Sequence, residues 1–365
     1  MNELISPPLR RVLCAALLSG AVLSHAAPVY QATMLALPAG MEASRVWGIH
    51  QGVIVGETSN NTDFTPKATA WLSPSSATLL QANPFDSSAY AVSGGRIVGY
   101  QAALSLATDF DALRWANSGA QPGSIGSASG ASTARAAAGN YTAGAQMAGA
   151  FIHDGITLTT LGAAGSIAYG VTAAGVAVGQ DAMGAAVVFN GARAGTLSAS
   201  GTAWAILGDQ VVGSYDDQLG KQHAFLTTLG GGLGLIDLFK GAAFALNESG
   251  TVVGADFDLG LAMLFDSTGV YNLNSLVTGG LDGYTLTQAR GIDSDGTVIA
   301  FGTRGDFERA FVLRLGSGVP APDPNPVPEP IPAPGTLLLA LLALAALSVG
   351  TRRTMATGLQ HARAA

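Results

Sequence analysis

One short pattern recurs seven times between residues 45 and 300, and this repetition restricts the possible folds more than any other feature of the sequence. The pattern is a small residue, an aromatic residue or arginine, two or three apolar positions, a turn, and then Val-Val-Gly or a variant. The aromatic or arginine positions are Trp47, Tyr90, Arg135, Tyr169, Trp204, Phe244 and Arg290, and the closing positions are Gly56, Gly99, Gly144, Gly179, Gly213, Gly254 and Ala300. A period near roughly 40 residues is typical of propellers and solenoids.

Each copy predicts a β-hairpin, because short alternating apolar runs flank a turn of Gly, Asn, Asp or Ser. Ser249-Gly250 and Asp295-Gly296 are examples of such turns. A third run follows most hairpins and a fourth follows several of them, which is typical of a propeller blade. The sequence therefore predicts an all-β fold, a seven-bladed β-propeller-like repeat domain over residues 27–316. An open β-solenoid or two smaller β domains is the alternative.

The seventh copy lacks a fourth run of its own, because a proline-rich segment begins soon after Phe311 to Leu315. An isolated, largely apolar run, Val29 to Leu37, precedes the first hairpin. We expect this run to be the outer strand of the last blade and to close the ring, which protects strand edges from other chains.

The repeats resemble the HAF family of probable extracellular repeats. His223-Ala224-Phe225 matches the triplet for which that family is named, and the segment from Asn247 to Gly254 is similar to its core. The resemblance implies an extracellular repeat protein and supplies no catalytic residues.

The N-terminus predicts a secretory signal peptide over residues 1–26. Arg10 and Arg11 supply positive charge, and the apolar run Val12 to Leu23 is shorter than a membrane span. Small residues precede the expected cleavage between Ala26 and Ala27. An uncleaved N-terminal anchor is the alternative.

The C-terminus predicts a stalk and a membrane anchor. Proline occupies every second position from Pro320 to Pro334, so the spacer 317–334 should be extended. The apolar segment 335–350 follows, and we expect it to be a transmembrane helix. Arg352 and Arg353 begin the tail 351–365 and favour the cytoplasmic side.

These C-terminal features resemble the PEP-CTERM sorting signal of Gram-negative bacteria. The matching residues are Val327, Pro328, Glu329 and Pro330, the apolar span, and Arg352 and Arg353. The resemblance implies an exosortase-type protease that cuts near the motif, and an association with exopolysaccharide production. The protein would then sit in the inner membrane before processing and at the cell surface or in the extracellular matrix afterwards. A plain single-pass anchor is the alternative.

Composition restricts the chemistry. The net charge of -7 makes a basic nucleic-acid face improbable. The only cysteine, Cys14, lies in the predicted signal peptide, so disulfides and cysteine-ligated metals are excluded from the mature chain. His50, His153 and His223 fill repeat positions where other copies carry other residues, which favours structural roles.

Seven carboxylates lie in the predicted turns and after the Val-Val-Gly strands. They are Asp209, Asp216, Asp217, Asp256, Asp258, Asp293 and Asp295. Those after the strands could gather on one rim and bind Ca²⁺ or a sugar, although ordinary hairpin turns and solvated loops explain them better. We assign no catalytic, cofactor-binding or metal residues.

The sequence thus predicts an exported, non-enzymatic repeat protein that binds exopolysaccharide or another surface protein. Its processing partners would be signal peptidase and an exosortase-type protease. The alternative is a secreted polysaccharide lyase or hydrolase on a propeller scaffold, which would need acids and bases converging at one end of the channel.

Overall fold

The computed structural model describes residues 27–60, 65–82, 85–102, 110–126, 130–190, 193–230 and 234–316. Its described secondary structure is β-strands and one short 3₁₀ helix, Leu273–Leu276. The predicted signal peptide, proline-rich spacer, sorting motif, membrane helix and basic tail lie outside these residues. Within them, no helix has the length and apolar character needed to cross a membrane.

The strands form seven four-stranded antiparallel sheets, which are the blades of a propeller. From the axis outward, blade 1 consists of β2 (Ala43–His50), β3 (Val53–Ser59), β4 (Lys67–Ser73) and β5 (Ser76–Leu79), and blade 2 of β6 (Ser87–Ser93), β7 (Arg96–Ala102), β8 (Phe110–Trp115) and β9 (Gly123–Ser124). Blade 3 consists of β10 (Ser132–Ala138), β11 (Tyr141–Gln146), β12 (Gly149–His153) and β13 (Leu158–Leu161), and blade 4 of β14 (Ile167–Val171), β15 (Ala177–Gln180), β16 (Ala186–Asn190) and β17 (Arg193–Ser198). Blade 5 consists of β18 (Gly201–Leu207), β19 (Gln210–Asp216), β20 (Gln222–Thr228) and β21 (Ile236–Lys240), and blade 6 of β22 (Ala242–Leu246), β23 (Val252–Asp256), β24 (Leu261–Asp266) and β25 (Gly269–Asn272). Blade 7 consists of β26 (Thr285–Ile292), β27 (Val298–Arg304), β28 (Phe307–Leu315) and β1 (Tyr30–Met34). Inner strands of neighbouring blades contact each other around the whole ring, so the predicted seven-bladed propeller is confirmed and the open or two-domain alternatives are wrong.

The ring closes through β1, which is the outer strand of blade 7. It pairs antiparallel with β28, from Tyr30 opposite Leu315 to the last residue of β1. The chain then passes to blade 1, where the indole Nε1 of Trp71 donates a 2.7 Å hydrogen bond to the carbonyl of Ala36. The predicted closing role of Val29 to Leu37 is confirmed, with the strand itself limited to five residues.

A β-bulge at the aromatic or arginine position accompanies the closing glycine of the first six repeats. In blade 1 the register shifts between Val46 and Gly48, which leaves Trp47 unpaired. Gly56 faces Val46, and a Cβ on Gly56 would overlap the carbonyl oxygen of Arg45. The same overlap would arise at the closing glycines of blades 2 to 6. The second strand therefore approaches the bulged strand too closely for any side chain.

Blade 7 explains why its closing position is alanine. Ala300 faces Ala289 as the repeat pattern requires, but the inner strand has an additional register shift between Leu286 and Gln288. Gly302 lies opposite Leu286, and a Cβ there would overlap a carbonyl oxygen of the facing strand. Because of the extra register shift, the position that requires glycine in blade 7 is Gly302, two residues after Ala300.

Blades are joined by buried small residues. In the third strand of every blade, one residue faces the closing position, and the residue before it is a fully buried alanine. These alanines are Ala68, Ala112, Ala150, Ala186, Ala224, Ala262 and Ala310. At four of the seven blade junctions, the hydroxyl of a serine in the next inner strand, or directly before it in the case of Ser166, accepts a hydrogen bond from the N–H of this alanine. The serine acceptors are Ser44, Ser87, Ser132 and Ser166, at 2.9 to 3.0 Å.

Candidate functional site

The seven bulged residues of the inner strands line the central channel and form one closed belt of side chains. Each belt residue contacts the belt residues of the two neighbouring blades. Ring-centroid separations are 6.0 Å for Trp47–Tyr90, 4.5 Å for Tyr169–Trp204 and 5.5 Å for Trp204–Phe244. Guanidinium-to-centroid distances are 4.3 Å for Arg135–Tyr90, 6.0 Å for Arg135–Tyr169, 3.9 Å for Arg290–Phe244 and 4.6 Å for Arg290–Trp47.

The local sequence explains how the belt forms. A bulge inserts an unpaired residue and re-aims its side chain. The residue after each belt position is Gly or Ala in every blade, which allows the inner strands to crowd around the axis. A Cβ on Gly48, for example, would lie 2.9 Å from the carbonyl oxygen of Tyr90 in the next blade. The belt therefore depends on a large residue followed by a small one in each inner strand, and in blades 2 to 7 the preceding residue is alanine as well.

The belt is the floor of a cavity of about 790 Å³, here called the funnel. Its walls are the small and aliphatic residues that follow the belt, and its rim is formed by the turns between first and second strands. The rim includes the polar residues His50, Ser93, Thr172, Asn247, Glu248 and Asp293. A volume of this size is in the range of small-molecule sites, roughly 300–1,000 Å³.

Burial changes the ionisation of the groups at the floor. It lowers the pKa of Arg290 to about 10, so this guanidinium remains charged at neutral pH. Burial raises the pKa of Tyr90 and of Tyr169, and the Arg135 guanidinium opposes part of both shifts. Burial also raises the pKa of Glu57, a β3 carboxylate outside the funnel lining, although Ser88, Arg45 and Trp47 oppose the shift.

The three histidines of the repeat domain occupy separate places. His50 lies on the rim of the funnel. The Nδ1 of His153 accepts a 3.0 Å hydrogen bond from the N–H of Gly155, and burial lowers the pKa of its imidazole. His223 lies 3.0 Å from Asp237 and 3.7 Å from Asp217, at the opposite end of blade 5 from the funnel rim.

Asp216, Asp217, Asp256 and Asp258, the carboxylates considered for a shared rim site although solvated loops were favoured, make local contacts. Asp217 accepts the backbone N–H groups of Leu219 and Lys221, both at 2.8 Å. Asp258 lies 3.9 Å from Lys221 and 3.3 Å from Lys240. Asp216 accepts a hydrogen bond from Ser200, Asp256 accepts the N–H of Leu259, and the carbonyl of Asp209 accepts the N–H of Leu229. No group of three or more His, Cys, Asp or Glu side chains within the described ranges is arranged to hold a metal ion.

The segment Asp293-Ser294-Asp295-Gly296 forms a hairpin turn on the rim. The Asp293 carboxylate accepts the N–H of Ser294 at 3.0 Å and that of Gly52, in blade 1, at 2.8 Å. Asp295 accepts the N–H of Thr297 at 2.9 Å. The turn therefore ties blade 7 to blade 1, and both oxygens of Asp293 are used.

Sequence reasoning recognised the belt positions as part of the repeat and assigned them no role. The signal that identifies them is a large residue directly before Gly or Ala and, in blades 2 to 7, directly after Ala. That signal becomes interpretable once the bulge is known, because an unpaired residue in an inner strand can face the axis.

Comparisons with known proteins add little to these observations. No protein-family model matches the chain, and no curated protein matches it. Among solved structures, it is similar to the β-propeller domain of the Trilobed protease from Pyrococcus furiosus, described as having an open velcro topology. That similarity has 13% sequence identity and a TM-score of 0.32, and covers 76% of this chain and 84% of that one.

Proposed function

We propose that this protein is an exported, non-catalytic β-propeller that binds a polysaccharide or surface protein through its funnel. The observation that carries the proposal is the funnel itself, a cavity of about 790 Å³ whose floor is a continuous belt of aromatic and arginine side chains. Aromatic rings supply large rigid contact area at low cost in conformational entropy. Such a floor suits binding, and the carboxylate of Asp293 on its rim is already committed to two backbone N–H groups.

The proposed export route agrees with the extent of the ring. Its strands run from Tyr30 to Leu315. Cleavage after Ala26 would leave every strand intact, and the sorting motif around Glu329 lies beyond the last strand. Signal peptidase and an exosortase-type protease could therefore act without disturbing the propeller, which would end at the cell surface or in the matrix.

Affinity electrophoresis of the full-length protein through gels that contain the polysaccharide secreted by the producing cells tests this function. We expect retardation of the wild type and its loss in Trp204→Ala, because Trp204 is part of the belt. Phe307→Ala is the matched control, since Phe307 is an exposed aromatic residue outside the funnel. Equal mobility of all three proteins with and without polymer contradicts polysaccharide binding, and shortening of the polymer during incubation favours the enzymatic alternative.

A further inference from the structure

The two arginines of the belt keep hydrogen-bonding capacity that the propeller does not use. Arg290 lies between the rings of Phe244 and Trp47, its neighbours around the belt, at 3.9 and 4.6 Å. Contacts with rings use the flat faces of a guanidinium, whereas its N–H donors lie in the plane. Among the described residues, Arg290 makes no hydrogen bond or ion pair. Arg135 donates one hydrogen bond, from its Nε to Thr133 Oγ1 at 3.3 Å.

The charge at the floor of the funnel is positive. Arg135 and Arg290 belong to the belt, whereas the carboxylates of the lining, Glu248 and Asp293, lie in turns on the rim. The nearby Glu57 is outside the lining and lies 3.8 Å from Arg45, whose positive charge offsets it. A ligand that reaches the floor therefore meets two cations set among aromatic rings.

The shape around Arg290 selects among anions. The rings of Trp47 and Phe244 lie 4.6 and 3.9 Å from the centre of the guanidinium. Stacked on its two faces, they would leave the edge of the guanidinium facing a flat slot. A carboxylate is planar and can continue the plane of the guanidinium with two parallel hydrogen bonds. A tetrahedral phosphate or sulfate would project oxygens toward the rings on either side.

We propose that the funnel binds a six-membered ring bearing a carboxylate, with the carboxylate on Arg290 and the ring against the aromatic side chains of the belt. This inference rests on the proposed function, because it takes the funnel to be the ligand site. The same chemistry is present in an acidic sugar and in an aromatic acid. The small wall residues leave room for either.

The test is titration of the full-length protein with glucuronate, benzoate, glucose and glucose 6-phosphate, followed by tryptophan fluorescence and calorimetry. Trp47 and Trp204 belong to the belt and report on its occupation. We expect glucuronate or benzoate to bind at least tenfold more tightly than glucose or glucose 6-phosphate. Preference for glucuronate identifies a sugar as the source of the carboxylate, and preference for benzoate an aromatic acid.

Substitution of the arginine locates the anion. Arg290→Met should weaken binding of the preferred carboxylate at least tenfold, and Arg290→Lys should restore only part of it, because the two-pronged donor is lost. Arg304→Met is the matched control, since Arg304 lies 4.6 Å from the ring centroid of Tyr284, outside the funnel lining. If Arg290→Met does not fold, Arg290→Lys alone provides the test.

Two outcomes overturn the inference. One is equal binding of glucose and glucuronate, and the other is unchanged carboxylate affinity in the folded arginine variants. Either result leaves the proposed function standing if the secreted polymer still retards the wild type and not Trp204→Ala. Failure of that retardation, in contrast, removes support for polysaccharide binding whatever the small ligands do.

Discussion

The closing glycine and the belt residue depend on one another in the first six repeats. The bulge that turns Trp204 toward the axis also brings the facing strand close to the backbone of Thr202. A glycine at position 213 accommodates this approach, as Gly56 does in blade 1. One local distortion, repeated around the ring, therefore sets both the shape of the blades and the lining of the channel.

Gly213→Ala tests this dependence. The new Cβ would overlap the carbonyl oxygen of Thr202 and lie 2.7 Å from the ring of Phe225. Overpacking of this kind typically costs about 1–3 kcal/mol, so we expect a clear fall in the urea midpoint of unfolding. Ala300→Gly is the control, because Ala300 occupies the equivalent position without a clash and should lose only about 1 kcal/mol. Equal losses in the two variants contradict the proposed role of the glycine.

For individual residues, the sequence predicted which positions recur in the repeats better than it predicted the contacts that those residues make. The recurrence of glycine and of large residues such as Trp47 is visible without a structure. The bond from the N–H of Ala68 to the hydroxyl of Ser87 is not, because it joins two blades and depends on their packing. The role of Arg290 was missed for a similar reason, since its two ring contacts come from residues far away in the sequence.

The closing strand shows why some long-range pairing is predictable. The closing blade has only three strands from its own repeat, so its fourth, outer strand must come from the unmatched strand at the other end of the repeats. That counting argument gave β1 its partner in β28. The register within the pair, with Gln31 opposite Arg314, requires the structure.

A disulfide across this pair tests the closure. Gln31 and Arg314 are exposed and directly opposite in antiparallel strands, where Cα atoms are about 4.5–5.5 Å apart, within disulfide range. The double variant Gln31→Cys, Arg314→Cys should form a bond that stabilises the oxidised protein by typically about 2–4 kcal/mol. The same protein with reductant, and each single variant, are the controls. If no bond forms under oxidising conditions, β1 does not lie beside β28.

The closing strand should also make stability depend on alkaline pH. Burial, with a smaller contribution from Asp266, raises the pKa of Tyr30 to about 12 from 10.0. The folded state therefore holds the phenol proton more tightly, and this contribution is complete below pH 10 and lost as the pH rises toward 12. Tyr30→Phe should flatten the decline in the free energy of unfolding between these values. Urea titrations at several pH values measure it, and identical profiles for both proteins contradict the assignment.

Across the whole molecule, the ends of the ring lie together. The N–H of Gly316 donates a 2.8 Å hydrogen bond to the carbonyl of Val29, so the chain enters and leaves at the outer edge of blade 7. The funnel opens on the axis, at the inner strands. A stalk attached after Gly316 would thus hold the ring by its outer edge, away from the axis on which the funnel opens.

This geometry bears on the proposed sorting signal. Replacing Pro328, Glu329 and Pro330 with alanine changes residues beyond the ring, so the melting temperature of the propeller should stay the same. If an exosortase-type protease reads the motif, the triple variant should remain in the inner membrane with its tail attached, while the wild type loses the tail. Mass spectrometry of the mature C-terminus and membrane fractionation measure these outcomes, with Pro320→Ala in the spacer as the control. An intact Ala365 on the major cellular form of the wild type contradicts sorting and leaves a propeller anchored by its stalk. Because a stalk after Gly316 would join the outer edge of blade 7, away from the axis, ligand binding in the funnel should be the same in the retained and released forms.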